Sequence, residues 1–241
     1  MVAATHIGTV REINEDSLRI IPSLNLAVIA DGMSGHKAGD IASRMAVNAL
    51  CAYFEEQTML HDQIDGRIYT EILVDGFSLA NSTVYANSHQ LLDCEGMGTT
   101  MIAATFQENV VHIGHIGDSR IYNFSYGKLK QLSTDHTVAS ELSIDTLSWQ
   151  LPAYNYHILS KVLGIESTCK PDFFTIETGE NQIYLMCSDG LTSVVSDHDI
   201  STILSLRSHQ PEQCLDTMID ACLDNGAPDN ISIILIFSKK H

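Results

Sequence analysis

The sequence is short of positive charge: 13 Lys and Arg stand against 30 Asp and Glu, a formal net charge of −17 over 241 residues. Nucleic acid and anionic membrane are held through basic footprints, so this balance argues against both as partners. No run approaches the ~18 apolar residues of a membrane span. The charges in MVAATHIGTVREINED come too early for the apolar core of a secretory leader, and a cytoplasmic location is expected. The six cysteines (Cys51, Cys94, Cys169, Cys187, Cys214, Cys222) contain no CxxC pair, which argues against a zinc site or a disulfide framework and for reduced core residues. Neither GxGxxG nor GxxxxGK[ST] occurs, so the two common phosphate-cradling loops are absent. With no repeat, low-complexity tract or linker, a single domain over residues 1–241 is expected.

What is present is a 44% hydrophobic chain with enough material for a sizeable core. Leu26–Ala30 reads as a buried strand. In Ala38–Glu56 the residues Ile41, Ala42, Met45, Ala46, Ala49, Leu50 and Tyr53 recur at helical spacing, and Ile68–Leu92 gives a second long helix. Two apolar runs flank Gln107-Glu108-Asn109, and a further strand ends at Tyr126-Gly127. Thr134–Leu163 has a helical pattern interrupted at Pro152. Strands near Phe173–Glu177 and Gln182–Cys187, two short helices and a closing strand in NISIILIFS complete the chain. Hairpin-like strands with segregated helices predict an α+β fold with antiparallel sheets rather than a doubly wound parallel one.

The chemistry sits in acids at strand ends. LAVIADGMSGH and IYLMCSDGLT both close an apolar run with Asp-Gly, at Asp31-Gly32 and Asp189-Gly190. Asp118 follows another run in HIGDSR, Asp229 precedes one in PDNISIILI, and Glu15-Asp16 lies in NED. A lone Asp in such a place is more often a turn or helix cap. Gathered at one end of antiparallel sheets, the set would repel itself unless hard divalent cations were shared. An all-oxygen set suits Mg²⁺ or Mn²⁺ over Zn²⁺.

Eight stretches stand in the order found in the metal-dependent protein serine/threonine phosphatases of the protein phosphatase 2C (PPM) type, bacterial form. They are GTVREINEDS, VIADGMSGHKAGDIAS, GMGTTMIAA, HIGDSRIY, LSTDHT, LSKVLG, LMCSDGLTS and PDNISIILI, and they run from Gly8 to Ile236. The chain resembles that family over nearly its whole length. The resemblance implies a four-layer α-β-β-α sandwich, two antiparallel sheets flanked by helices, that hydrolyses phosphoserine and phosphothreonine in proteins. It implies that Asp31 bridges two Mn²⁺ or Mg²⁺ ions, that the Gly32 carbonyl binds one, and that Asp189 and Asp229 bind the other. Glu15 and Asp16 would hold the edge, Asp118 with Asp189 a weaker third ion, and Arg11 the substrate phosphate. The partner the resemblance implies is a phosphoprotein, with an opposing serine/threonine kinase.

Departures from the pattern bear on the site. Ser34 replaces a glycine of DGMGGH, and Ser193 replaces an acid of DGLTD, which weakens the expected third ion. Met33 cannot donate a proton, and His36 is expected in a turn role. Residues 138–158 are short for the family's mobile flap. Two competing readings are a catalytically silent binding or regulatory module on the same fold, and another metal-dependent phosphoesterase such as a nuclease, which the acidic balance disfavours.

Overall fold

The strand-forming runs are continuously apolar because both faces of those strands are covered. The computed structural model describes residues 1–33, 38–60, 66–91, 93–107, 109–143 and 158–238. In β3 (Leu26–Met33), Ala27 and Ile29 turn to one side while Leu26, Val28 and Ala30 turn to the other, and all five are fully buried. β10 (Ile183–Cys187) divides in the same way, Tyr184 and Met186 against Leu185 and Cys187. In β11 (Ile231–Phe237) the division is Ile234 and Ile236 against Ile233 and Leu235.

One side-chain set meets its counterpart between two sheets. The first sheet runs β1 (Val2–His6), β11, β10, β7 (Arg120–Ser125), β8 (Lys128–Gln131). The second runs β2 (Asp16–Ile21), β3, β5 (Met101–Gln107), β6 (Val110–Ile116), β9 (Asp172–Glu177), with the short β4 (Gly98–Thr99) paired to the end of β3. The ladders among the described residues are all antiparallel.

The other set meets helices. α1 (Gly39–Leu60) and α2 (Gly66–Gln90) bury Ala42, Ala46, Leu50, Phe54, Leu73 and Phe77 on the second sheet. α4 (Asp189–Thr192), α5 (Asp197–Arg207) and α6 (Pro211–Asp224) do the same for the first sheet through Leu191, Ile200, Leu204, Cys214 and Met218. Each fully buried Leu or Phe contributes roughly 1.5–3 kcal/mol, an upper figure for a chain already partly collapsed when unfolded. α5 starts where the Ser196 hydroxyl accepts from the Asp199 N–H, and α6 starts at Pro211, whose missing N–H costs nothing in the first turn. The result is the expected four-layer α-β-β-α sandwich. All six cysteines are free, and five of them are buried. Among the described residues no helix is long and apolar enough to cross a membrane.

The helical expectation for Thr134–Leu163 is corrected in part. Among its described residues only α3 (Val138–Ser143) is helical. Backbone pairing takes the rest: Thr137 bridges Leu159, and Leu163 bridges Thr99 with N–H···O contacts of 2.9 and 3.1 Å. The buried Thr99 N–H at the end of β4 needs a partner, and that demand outweighs the weak helical spacing. Most of the flap-like segment, including Pro152, lies outside the described residues, as do Ser34 and His36.

Candidate metal centre

The two Asp-Gly pairs use different local structures. Asp31 and Gly32 lie inside β3, which continues to Met33, whereas Asp189 and Gly190 open α4 directly after β10. Neither glycine has a positive φ. Both are required because neighbouring backbone packs where a Cβ would stand: the Gly39 carbonyl against Gly32, and the Asn230 carbonyl against Gly190. These glycines permit close approach of two chains at the site rather than a turn.

β2 begins at Asp16, directly opposite Asp31 in the ladder. The backbone of Asp31 is fixed from the other side. Its N–H donates to Thr100 Oγ1 at 3.0 Å, and its carbonyl accepts from the Thr100 N–H and the Thr99 hydroxyl, each at 2.9 Å. The first sheet reaches across through Ser188, whose hydroxyl donates to Asp16 Oδ2 at 2.8 Å and accepts from the Ser232 N–H at 3.0 Å. Asp118 follows β6 in a turn, and Asp229 precedes β11. The structure thus brings Asp16, Asp31, Asp118, Asp189 and Asp229, all half-buried, within electrostatic reach of one another.

That proximity registers in their protonation. Burial, then the charges of Asp16, Asp189, Asp118 and Asp229, push the Asp31 carboxyl well above the ordinary range. Burial raises Asp16 to about 6, with hydroxyl donors opposing and Asp189 and Asp229 adding to it. Burial and the charge of Asp189 raise Asp118 to about 7.

Among the described residues no three His, Cys, Asp or Glu side chains stand close enough together to hold a metal ion between them. The donors nonetheless fit a hard cation. They are all oxygens, and Asp16 Oδ1 is buried without a hydrogen-bond partner. A Cβ on Gly39 would stand 2.6 Å from Glu15 Oε1 and 2.8 Å from the Gly32 carbonyl oxygen, so those two oxygens flank one gap.

Arg11 and Glu15 sit on the loop between β1 and β2. Arg11 Nη2 donates to Asp229 Oδ2 at 2.7 Å, and its Nη1 lies 3.8 Å from Glu15 Oε2. Asn230, which sequence reasoning missed, anchors this loop. Its Oδ1 accepts from the Glu15 N–H at 2.8 Å, and its amide donates to the Ile7 and Ile13 carbonyls at 2.8 and 3.1 Å. A buried asparagine between an acid and an apolar strand in PDNISIILI was the available signal.

Asp118 and Asp189 line a second recess of about 230 Å³, with Ser193 on its wall. Arg120 also lines it, but its guanidinium is held by Asp135 through contacts of 3.0, 3.0 and 2.6 Å. The turn bearing Asp118 is gripped by two histidines. The Gly117 N–H donates to His136 Nδ1 at 3.1 Å, and His115 Nε2–H donates to the Ser119 carbonyl at 2.8 Å. Cys187 is buried in the helix-facing core, and burial pushes its thiol far up, so it is no nucleophile.

A sequence profile described as protein phosphatase 2C matches residues 6–227. The chain is 32% identical over 240 residues to the serine/threonine phosphatase stp of Listeria welshimeri, covering 96% of this chain and 93% of that one. It superposes on the crystal structure of the Mycobacterium tuberculosis serine/threonine phosphatase PstP/Ppp with a TM-score of 0.85 at 30% identity, covering 99% and 98% of the two chains. A structure of the catalytic domain of PstP in complex with two manganese ions gives a TM-score of 0.81 at 31% identity, with 97% and 95% covered.

Proposed function

The chain belongs to the protein phosphatase 2C family, and on that premise we propose that it removes phosphate from phosphoserine and phosphothreonine in proteins with a pair of Mn²⁺ or Mg²⁺ ions. The observation that carries this reading is the set of half-buried carboxylates around Asp31, where burial and neighbouring acids hold the carboxyls of Asp16, Asp31 and Asp118 above the ordinary range. Such acids protonate if left alone, and divalent cations remove the conflict. Asp31 would bridge the ions, the Gly32 carbonyl would complete one, and Asp189 and Asp229 would hold the other. Glu15 and Asp16 belong to the edge. Asp118, with Asp189, is assigned a weaker third ion, toward which Ser193 offers only a hydroxyl. When bound, the pair makes hydroxide available at neutral pH and offsets charge building on the phosphate.

The protein's own residues do the positioning. Thr99 and Thr100 hold the Asp31 backbone so that its carboxylate is set before substrate arrives. The Arg11 guanidinium, 45% exposed on its loop and tethered beside the carboxylates by Asp229, would offer substrate phosphate oxygens a fork of donors. Met33 has no proton to give, so the leaving oxygen takes one from water. We place the enzyme in the cytoplasm, where six free thiols persist, acting against a serine/threonine kinase.

The test is p-nitrophenyl phosphate hydrolysis across Mn²⁺ and Mg²⁺ concentrations, with chelator and Asp189→Asn as controls. Turnover that needs the metal and vanishes in the variant supports the proposal. Two ions bound by calorimetry without turnover would overturn it and leave a silent binding module.

A further inference from the structure

A groove of about 400 Å³ opens at the end of β3. Its near wall is Met33, two residues along β3 from Asp31 and so roughly 7 Å away in extended chain. β4 pairs Gly98 with Met33, and the 159–165 segment packs against β4 in turn, with the Leu163 carbonyl 3.0 Å from where a Gly98 Cβ would stand. The groove is thus continuous with the metal centre through three adjoining backbones. Ile116 and Ile165 make it apolar, and Ile165 is 42% exposed.

Its charge runs against that of the chain. The lining carries Lys161 and Lys170 against Glu166, two bases to one acid, where the whole sequence has 13 bases to 30 acids. Lys161 is partly neutralised by Asp172 at 3.5 Å. Lys170 makes no ion pair among the described residues, so its ammonium is available to a ligand.

We infer that this groove receives the stretch of substrate polypeptide flanking the phosphoresidue, and that it selects an acidic side chain two or three positions away, set beside an apolar one. The inference rests on the phosphatase reading above and names its substrate class. Two or three extended residues span roughly 7–10 Å, enough to pass from the phosphate site over Met33 to the groove. The apolar walls bury the neighbouring side chain, and Lys170 supplies the counter-charge.

The experiment uses fluorescent peptides bearing a non-hydrolysable phosphonate in place of phosphoserine, with Glu or Lys at the second and third positions on either side. Affinity is read by anisotropy with Mn²⁺ present, for the native protein, Lys170→Glu, and Lys128→Glu on β8 as a remote charge control. Hydrolysis of p-nitrophenyl phosphate is measured in parallel. The expected result is acidic peptides bound at least fivefold tighter on one side of the phosphonate. Lys170→Glu removes that preference, Lys128→Glu keeps it, and p-nitrophenyl phosphate turnover is unchanged in both. Equal affinity for acidic and basic peptides, or a preference that survives Lys170→Glu, overturns the inference. A preference lost in Lys170→Glu with no p-nitrophenyl phosphate turnover in any protein keeps the groove and removes the catalytic reading instead.

Discussion

Asp16 and Asp31 face each other across the β2–β3 ladder, two acids at directly opposed positions. Like charges in that arrangement destabilise a sheet. The fold accepts the pair because Ser188 donates to one and the strand backbones are fixed from both sides.

In chelator, therefore, stability should fall as pH rises. Asp16 is held at about 6 and Asp118 at about 7, against roughly 3.8 in the unfolded chain. Between those values the native state binds more protons than the unfolded state, so each pH increment favours unfolding. For Asp16 alone the cost once ionised is roughly 3 kcal/mol. Urea midpoints with EDTA should be higher at pH 5 than at pH 7.5, Mn²⁺ should restore the loss at pH 7.5, and Asp16→Asn should flatten the slope. A higher midpoint at pH 7.5 in EDTA would count against the electrostatic account.

Arg11→Ala should act on substrate rather than on folding. Its pair with Asp229 is largely exposed and contributes under about 1 kcal/mol to stability. A fork of charged hydrogen bonds to phosphate contributes more, on the order of tenfold or above in kcat/KM. Chemical denaturation and phosphopeptide kinetics on the same preparation separate the two effects. Arg11→Lys should recover only part of the activity.

Asn230→Ala should destabilise by roughly 2–4 kcal/mol, because the Glu15 N–H and the Ile7 and Ile13 carbonyls lose their partner together. The loop bearing Arg11 and Glu15 is released with it, so Mn²⁺ affinity measured by calorimetry should weaken. Unchanged affinity would mean that the loop is held by other contacts.

Gly190→Ala should be far more damaging than Gly127→Ala. At Gly190 a methyl group meets the Asn230 carbonyl, and both backbones must move. At Gly127, with φ +72°, a methyl meets nothing within 4 Å, and the cost is the left-handed backbone alone, about 1 kcal/mol. Urea denaturation of both variants checks the contrast.

Much of this was legible in the chain. Core strands announce themselves when both faces are apolar, and Leu26–Ala30 is found inside the strand Leu26–Met33. The first long helix runs Gly39–Leu60, close to its periodic stretch. The acids at strand ends stand within electrostatic reach of one another. The purpose of their glycines was not legible, because what forbids a Cβ at Gly32 and Gly190 is backbone from Gly39 and Asn230. Arg11 shows the same limit: its nearest acids in sequence are Glu12 and Glu15, yet its shortest bond is to Asp229, 218 positions away. The strand Lys128–Gln131 is short, with lysines on a sheet edge, and carries little apolar alternation to betray it.

Because Asp16 and Asp31 belong to one sheet while Asp189 and Asp229 adjoin the other, the layer of Ile29, Ile113, Tyr184, Met186 and Ile234 works as a spacer between the two halves of the centre. Its thickness sets how far apart the carboxylates stand. A change of volume there, such as Met186 to a shorter side chain, alters the aperture of the site without touching a single polar atom. Interior packing is in this sense an adjustable gauge for the spacing of the carboxylates, and drift in the core is also drift in the site.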